Sequence, residues 1–166
     1  KKLLLLLLPV FSFGQVIDSF PWIHNFENFI ALEQDQNDDG DWWLMQGPTN
    51  SVNTGPAGDH TTGSGTYFYV EASAPNYPNK QFISYTPTFD VSATPGKVLS
   101  FWYHMFGPEM GELEIAAIDV MGNYIFIGAY NGDQGMPWHF AYYPLDSLNL
   151  QHDFKIAFVG NTGSLY

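Results

Sequence analysis

In Gly111-Glu112-Leu113-Glu114-Ile115-Ala116, acidic and aliphatic side chains take alternate places. A period of two puts Glu112 and Glu114 on one face of an extended strand and Leu113 and Ile115 on the other, giving one wet face and one buried face. Outward from it, 112–119 reads as the whole strand, Met121-Gly122-Asn123 as a tight hairpin and 124–129 as the returning strand. Short runs of the same kind recur at 42–45, 66–71, 81–85, 98–106, 138–143 and 154–159, each bounded by Gly, Pro or Asn-Gly. Eight or nine short strands without a convincing helix predict an all-β protein, an antiparallel β-sandwich of two sheets. Val98-Leu99-Ser100-Phe101-Trp102-Tyr103 is apolar almost throughout, which predicts a central strand covered on both faces and a core centred on Phe101 or Trp102.

Composition agrees with one domain. The chain has 166 residues, 45 % of them apolar and 17 % aromatic, with 16 Gly and 11 Pro, a mixture suited to strands and turns and too aromatic for disorder. Its 17 acids face five lysines and no arginine, a net charge of −12. Phosphate-binding surfaces draw their affinity from Lys and Arg, so nucleic acid is set aside as a partner, and so is adhesion to anionic lipid. Cations and neutral ligands suit this charge.

Residues 1–14 read as a signal peptide rather than part of the fold: Lys1-Lys2 is the charged region, 3–11 the apolar region and Ser12-Phe13-Gly14 a small-x-small cleavage site. Cleavage between Gly14 and Gln15 leaves 17 acids against three lysines, a charge of −14. The apolar run is shorter than the roughly 20 residues that span a bilayer, and no later stretch supplies a transmembrane segment. There is no cysteine, so disulfides, thiolate metal sites and a cysteine nucleophile are ruled out. A domain of this size buries about 70 % of the surface of its unfolded chain, enough for a core that stands without cross-links.

Several segments, taken in order, resemble the MAM domain. They are Phe26-Glu27; Asp41-Trp42; Thr54-Gly55-Pro56-Ala57-Gly58-Asp59-His60-Thr61; Gly65-Thr66-Tyr67-Phe68-Tyr69-Val70-Glu71; Leu99-Ser100-Phe101-Trp102-Tyr103-His104-Met105-Phe106-Gly107; Gly111-Glu112-Leu113; Gly135 with Trp138; and Phe154-Lys155-Ile156-Ala157-Phe158. The resemblance implies a jelly-roll sandwich at 15–166, a non-catalytic module for adhesion, recognition or oligomerisation in an exported or cell-surface protein, with other domains in the same chain. It also implies disulfides, which this chain lacks, and a final strand after a Gly-rich turn, of which 160–166 stops short. The domain is therefore expected to be C-terminally incomplete.

Two readings of metal chemistry arise. Asp35, Asn37 and Asp39 with Gly40 have the spacing of the first half of a calcium loop, but Gln46 stands where a bidentate Glu is required, so this loop alone supplies too few oxygens. By resemblance, Glu27, an acid at Asp39 or Asp41, and Asp59 converge on a structural Ca²⁺, and Asp59 lies in a long Gly/Pro connection, 47–65, that an ion would order. His24, His60, His104, His139 and His152 have no metal-ligand spacing. No G-x-S-x-G occurs, and Glu112 with Glu114 reads as plain surface rather than a glycosidase pair. The expected partner is a protein or glycan ligand at the cell surface. The alternative function is a carbohydrate-binding jelly roll attached to an extracellular hydrolase, with Trp22, Trp43 or Trp138 stacking on sugars, although Trp102 and Trp138 are expected in the core. Trp42 and Trp43 point to opposite faces of one strand, which leaves one of them near the surface.

Overall fold

The computed structural model describes residues 16–28, 32–148, 150 and 153–164; the signal peptide expected at 1–14 lies outside them. Eleven strands are present among the described residues: β1 Val16–Ile17, β2 Glu33–Gln34, β3 Trp43–Gln46, β4 Thr66–Tyr69, β5 Gln81–Tyr85, β6 Thr88–Phe89, β7 Val98–Tyr103, β8 Glu112–Asp119, β9 Tyr124–Asn131, β10 His139–Pro144 and β11 Phe154–Asn161. A single turn of 3-10 helix, Asp146–Leu148, follows β10. The all-β sandwich expected from the sequence is the fold observed.

One layer is a seven-stranded sheet built around β11. Along its whole length β11 pairs antiparallel with β8, from Phe154↔Asp119 to Asn161↔Glu112, and β8 pairs in turn with β9. On its other side β11 meets β5 and then β6, which are one course of chain interrupted at Thr86-Pro87. Pro87 has no N–H to give a ladder, and Thr86 bridges the break: its N–H donates to Ile156 O and its hydroxyl oxygen accepts from Ile156 N–H, both at 2.9 Å. The short strands β1 and β2 add to β6 and β5 at the rim. The β1–β6 pair is parallel, the one departure from the expected antiparallel pattern among the described residues.

The opposite layer is two separate ribbons, β3–β4 and β7–β10. Leu99 and Phe101 of β7 and Tyr143 of β10 pack onto the inner face of the large sheet, where Ile115, Ala117, Phe154 and Ile156 are buried. The β3–β4 ribbon is anchored by Trp42, whose indole N–H donates to Phe82 O at 3.0 Å. Trp43, its neighbour, is 60 % exposed, so the pair divides between inside and outside. The alternation at 111–116 sorts the side chains as read, with Leu113 and Ile115 toward the core and Glu112 and Glu114 on the other face, bonded to Asn161 and the Tyr124 hydroxyl; that second face is not simply wet, because both glutamates are half-buried and Ala116 beside them is buried with Ala157 and Val159.

One expectation is corrected. Of the two candidates for the centre of the core, Phe101 faces inward but Trp102 is 45 % exposed on the outer face of β7. Both faces of β7 are apolar, yet only one is covered. The buried centre lies instead at Phe82, Ile115 and Ile156, on the large sheet. Ile115 has no exposed surface, so Ile115→Ala, which leaves a cavity at the sheet's middle, is expected to lower unfolding free energy by about 3–4 kcal/mol in a urea titration.

Candidate functional site

The long connection 47–65 has few apolar side chains to hold it, and one buried carboxylate ties its second half together. Asp59 is 8 % exposed. Its Oδ2 accepts the N–H groups of Thr61 and Thr62, both at 2.9 Å, and its Oδ1 accepts the Thr62 hydroxyl at 2.8 Å and Gly65 N–H at 2.6 Å. Burial by itself pushes the Asp59 carboxyl up, but the Thr62, Gly65 and Thr61 hydrogen bonds outweigh it and hold the group at about 2. Next along, Thr66 N–H donates to Glu27 Oε1 at 3.1 Å. Glu27 and Asp59 thus close on Gly65 from two sides: a Cβ there would stand 2.3 Å from Glu27 Oε1 and 3.1 Å from Asp59 Cγ. A side chain at this position would push the Glu27 carboxylate aside.

Of the four acids singled out in the sequence, the structure therefore brings Glu27 and Asp59 together. Asp39 lies elsewhere, at the start of β5, where it accepts from Lys80 Nζ at 2.8 Å and from Gln81 N–H at 2.9 Å; the Lys80 ammonium is the main cause that lowers its carboxyl pKa. Asp41 is exposed. Among the described residues no three His, Asp or Glu side chains are grouped to hold a metal ion. The acidic turn is fastened to β5 by its carboxylates: besides Asp39, Asp38 accepts from Ile83 N–H, and Asp35 accepts from Asn37 N–H at 2.7 Å and the Tyr85 hydroxyl at 2.6 Å.

The same connection is pinned to the β7–β10 ribbon. Trp138 is half-buried and its indole N–H donates to Gly58 O at 3.1 Å. The His60 ring lies on Trp102, with centroids 3.6 Å apart and planes at 12°. Trp102 pairs across the ladder with Phe140, and Ser100 with Tyr142. The result is an outward aromatic face of Trp102, Phe140 and Tyr142, the last two 53 % and 58 % exposed. The sequence reading placed Trp102 in the core and passed over Phe140 and Tyr142. Their spacing of two along β10 was the available signal.

The histidines act as local links. His24 Nδ1 accepts from Phe26 N–H, and the Nε2 atoms of His104 and His139 lie 2.8 Å from the Met136 and Gln134 carbonyls. His152 is outside the described residues.

Two layers of short strands, a carboxylate-ordered connection and an aromatic outer ribbon define a small β-sandwich module. Comparison of the sequence with known families places it further: the profile of the MAM domain, meprin/A5/mu, matches residues 25–165, and the chain belongs to that family. Among curated relatives, MAM domain-containing glycosylphosphatidylinositol anchor protein 1 of Gallus gallus is 32 % identical over 152 residues, 84 % of this chain and 15 % of the relative. MAM domain-containing protein 2 of Mus musculus is 40 % identical over 86 residues, 51 % of this chain and 12 % of the relative. Thyroid hormone-induced protein B of Xenopus laevis is 38 % identical over 90 residues, 54 % of this chain and 13 % of the relative. The chain thus spans about one seventh of the length of the curated relatives it matches.

Because the Asp59 carboxyl is held below its ordinary 3.8, its contribution is full above about pH 4 and is lost as the pH falls toward 2. Asp59→Asn is expected to lower the melting temperature at pH 7 and to remove the part of the acid transition that falls in this window, followed by circular dichroism. A variant with the same acid titration as the parent would show that Asp59 does not order the connection.

Proposed function

We propose that this chain is a non-catalytic adhesion and recognition module of a larger extracellular or cell-surface protein, and that it meets a protein ligand through the outer face of the β7–β10 ribbon. Membership of the MAM family and relatives whose names include a glycosylphosphatidylinositol anchor support the setting. The observation that carries the reading is the exposed set Trp102, Phe140 and Tyr142, joined by Val98 at 46 % exposure, on one side of two paired strands. Monomeric proteins seldom leave contiguous aromatic surface in water unless something binds it, and buried aromatic anchors supply most of the affinity of protein interfaces. With a net charge of −12, the ligand surface that complements this module is neutral or basic. Export directed by residues 1–14, with cleavage after Gly14, belongs to the same reading. Phe140→Ala with Tyr142→Ala is expected to reduce the capture of module-coated beads by cell surfaces at least tenfold, with the melting temperature unchanged. Undiminished capture would remove this face from the function.

The reading extends to a cation. Glu27 and Asp59, the two of these acids that approach one another, are proposed to hold a structural Ca²⁺, with Asp41 brought in from its exposed place on the neighbouring turn when the ion binds. Its support is the approach of the Glu27 and Asp59 carboxylates at Gly65. Calcium takes six to eight oxygens, so carbonyl groups and water would complete the shell. At a dissociation constant of about 10⁻⁴ M, millimolar calcium adds about 1.4 kcal/mol by linkage, worth roughly 3–5 °C in a domain of this size. Equal melting temperatures in chelator and in millimolar calcium would withdraw the cation.

A further inference from the structure

The large sheet ends differently on its two sides. Beyond β5 and β6 it stops in β2 and β1, two residues each, whereas on the other side it stops in β9, eight residues long and paired only with β8. The run Tyr124-Ile125-Phe126-Ile127-Gly128-Ala129-Tyr130-Asn131 holds no charged residue and no proline. Edge strands are ordinarily short, charged or broken by proline, because their free main-chain groups recruit other strands. Tyr124 and Phe126 are more than half exposed, and Ile125 and Ile127, although turned to the core, are only half-buried.

The direction of the free main-chain groups follows from alternation along the ladder. At the hairpin, Asp119 N–H donates to Asn123 O, so residues 123 and 125 face β8 while Tyr124 and Phe126 face away. At the other end Gly132 N–H donates to Gly111 O, so residues 130 and 128 face β8 while Ala129 and Asn131 face away. In agreement, Asn131 O accepts from Gln134 Nε2, outside the sheet, at 2.8 Å. Among the described residues, the backbone hydrogen bonds outside the ladders include none from Tyr124, Phe126 or Ala129. Between the Ala116↔Phe126 and Ile115↔Gly128 pairs lies a β-bulge with Ile127 as its extra residue. The free-facing positions 126 and 129 are therefore three residues apart, where a regular strand has two.

That offset selects the occupant. A strand of regular period matches the free groups on one side of the bulge and misses those on the other. A second β9 carries the same offset: laid antiparallel, with Phe126 opposite Ala129 of the second copy and Tyr124 opposite Asn131, the free-facing residues of both strands coincide along the whole run. Side-chain sizes agree, since Phe126 then meets Ala129 and Ile127 meets Gly128, each twice by the two-fold symmetry. Charge agrees as well. Copies of net charge −12 can meet closely only where neither is charged, and an edge without carboxylates has nothing to hold a basic strand. Glu112 and Glu114 on the neighbouring β8 are already bonded to Asn161 and the Tyr124 hydroxyl. The final strand expected after 164 has its place elsewhere, because Thr162 and Gly163 line the space between the two ribbons of the second layer.

We infer that β9 is the contact through which two copies of this chain pair edge to edge, joining their large sheets into one. One strand a side buries less than the roughly 800 Å² per partner of a standard interface, so the dimer forms where copies are held at about millimolar local concentration. The inference is independent of the outer aromatic face of the β7–β10 ribbon.

Self-association of the protein is measured by sedimentation velocity up to about 1 mM. A monomer–dimer equilibrium is expected, tighter at high salt, where the repulsion between two acidic copies is screened. Ala129→Pro, which removes a free N–H and no ladder bond, and Phe126→Lys, which puts a charge on the edge, should each weaken it roughly tenfold at unchanged melting temperature. The chain has no cysteine, so the register can be trapped as a disulfide. Opposed Cα atoms of a hydrogen-bonded pair lie about 5.5 Å apart, within disulfide reach, so mixed Phe126→Cys and Ala129→Cys proteins should cross-link to each other roughly tenfold faster than to themselves. A monomer at every concentration and salt would overturn the inference, as would association that neither variant weakens, or cross-linking without that preference. Association that loosens with salt would place it on paired charges elsewhere, with the same consequence. Protection of the Phe126 and Ala129 amides from exchange at every dilution of the natural full-length protein would put another segment of that protein on β9, and pairing between copies would be withdrawn.

Discussion

The structure depends on the hydrogen-bonded ladder of β11, which is paired with β8 on one side and with β5 and β6 on the other. Phe154, Ile156 and Phe158 turn from this strand into the sandwich, and the inward residues of β7 and β10 pack against that surface. The Thr86 bridge to Ile156 matters because it lets the ladder cross a proline without leaving buried peptide groups unpaired. The two ribbons of the second layer hold their positions by docking on this sheet, through Trp42 at Phe82 and through Leu99 and Phe101 at the core.

The strongly acidic composition has a structural use as well as a surface one. Asp35 and Asp59 accept backbone N–H groups within connections that have no regular ladder, Asp38 and Asp39 tie the acidic turn to N–H groups of β5, and Asp119 takes the amides of Met121 and Asn123 in the β8–β9 hairpin. A carboxylate can accept several such bonds at once, which suits a protein whose connections are long and whose chain has no cysteine to cross-link them.

Strands with a clear period of two, such as β8, were legible from residue types alone, and so were their Gly and Asn-Gly boundaries. The two-residue strands β1, β2 and β6 were not, because a pair of residues carries no periodicity and their pairing is decided by distant partners. β7 misled for a definite reason: an apolar outer face looks the same in sequence whether a second layer or only water lies over it. At the candidate site, the convergence of Glu27 and Asp59 came from resemblance and the structure brings them together at Gly65, whereas the tie between Asp39 and Lys80 depends on a fold-back across 41 positions that no local pattern announces.

The order of the strands has a consequence for how the protein is made. The central strand of the large sheet follows all of its neighbours in the chain, so β5, β6 and β8 are separated from one another until residues 154–161 are available. A nascent chain emerging from the ribosome can form the β8–β9 hairpin, whose contacts are local, but cannot assemble the sheet early. Non-local closure of this kind slows folding. Until that point the edges of β5, β6 and β8 that β11 will join are left to water, so the sheet closes in a single late step rather than strand by strand.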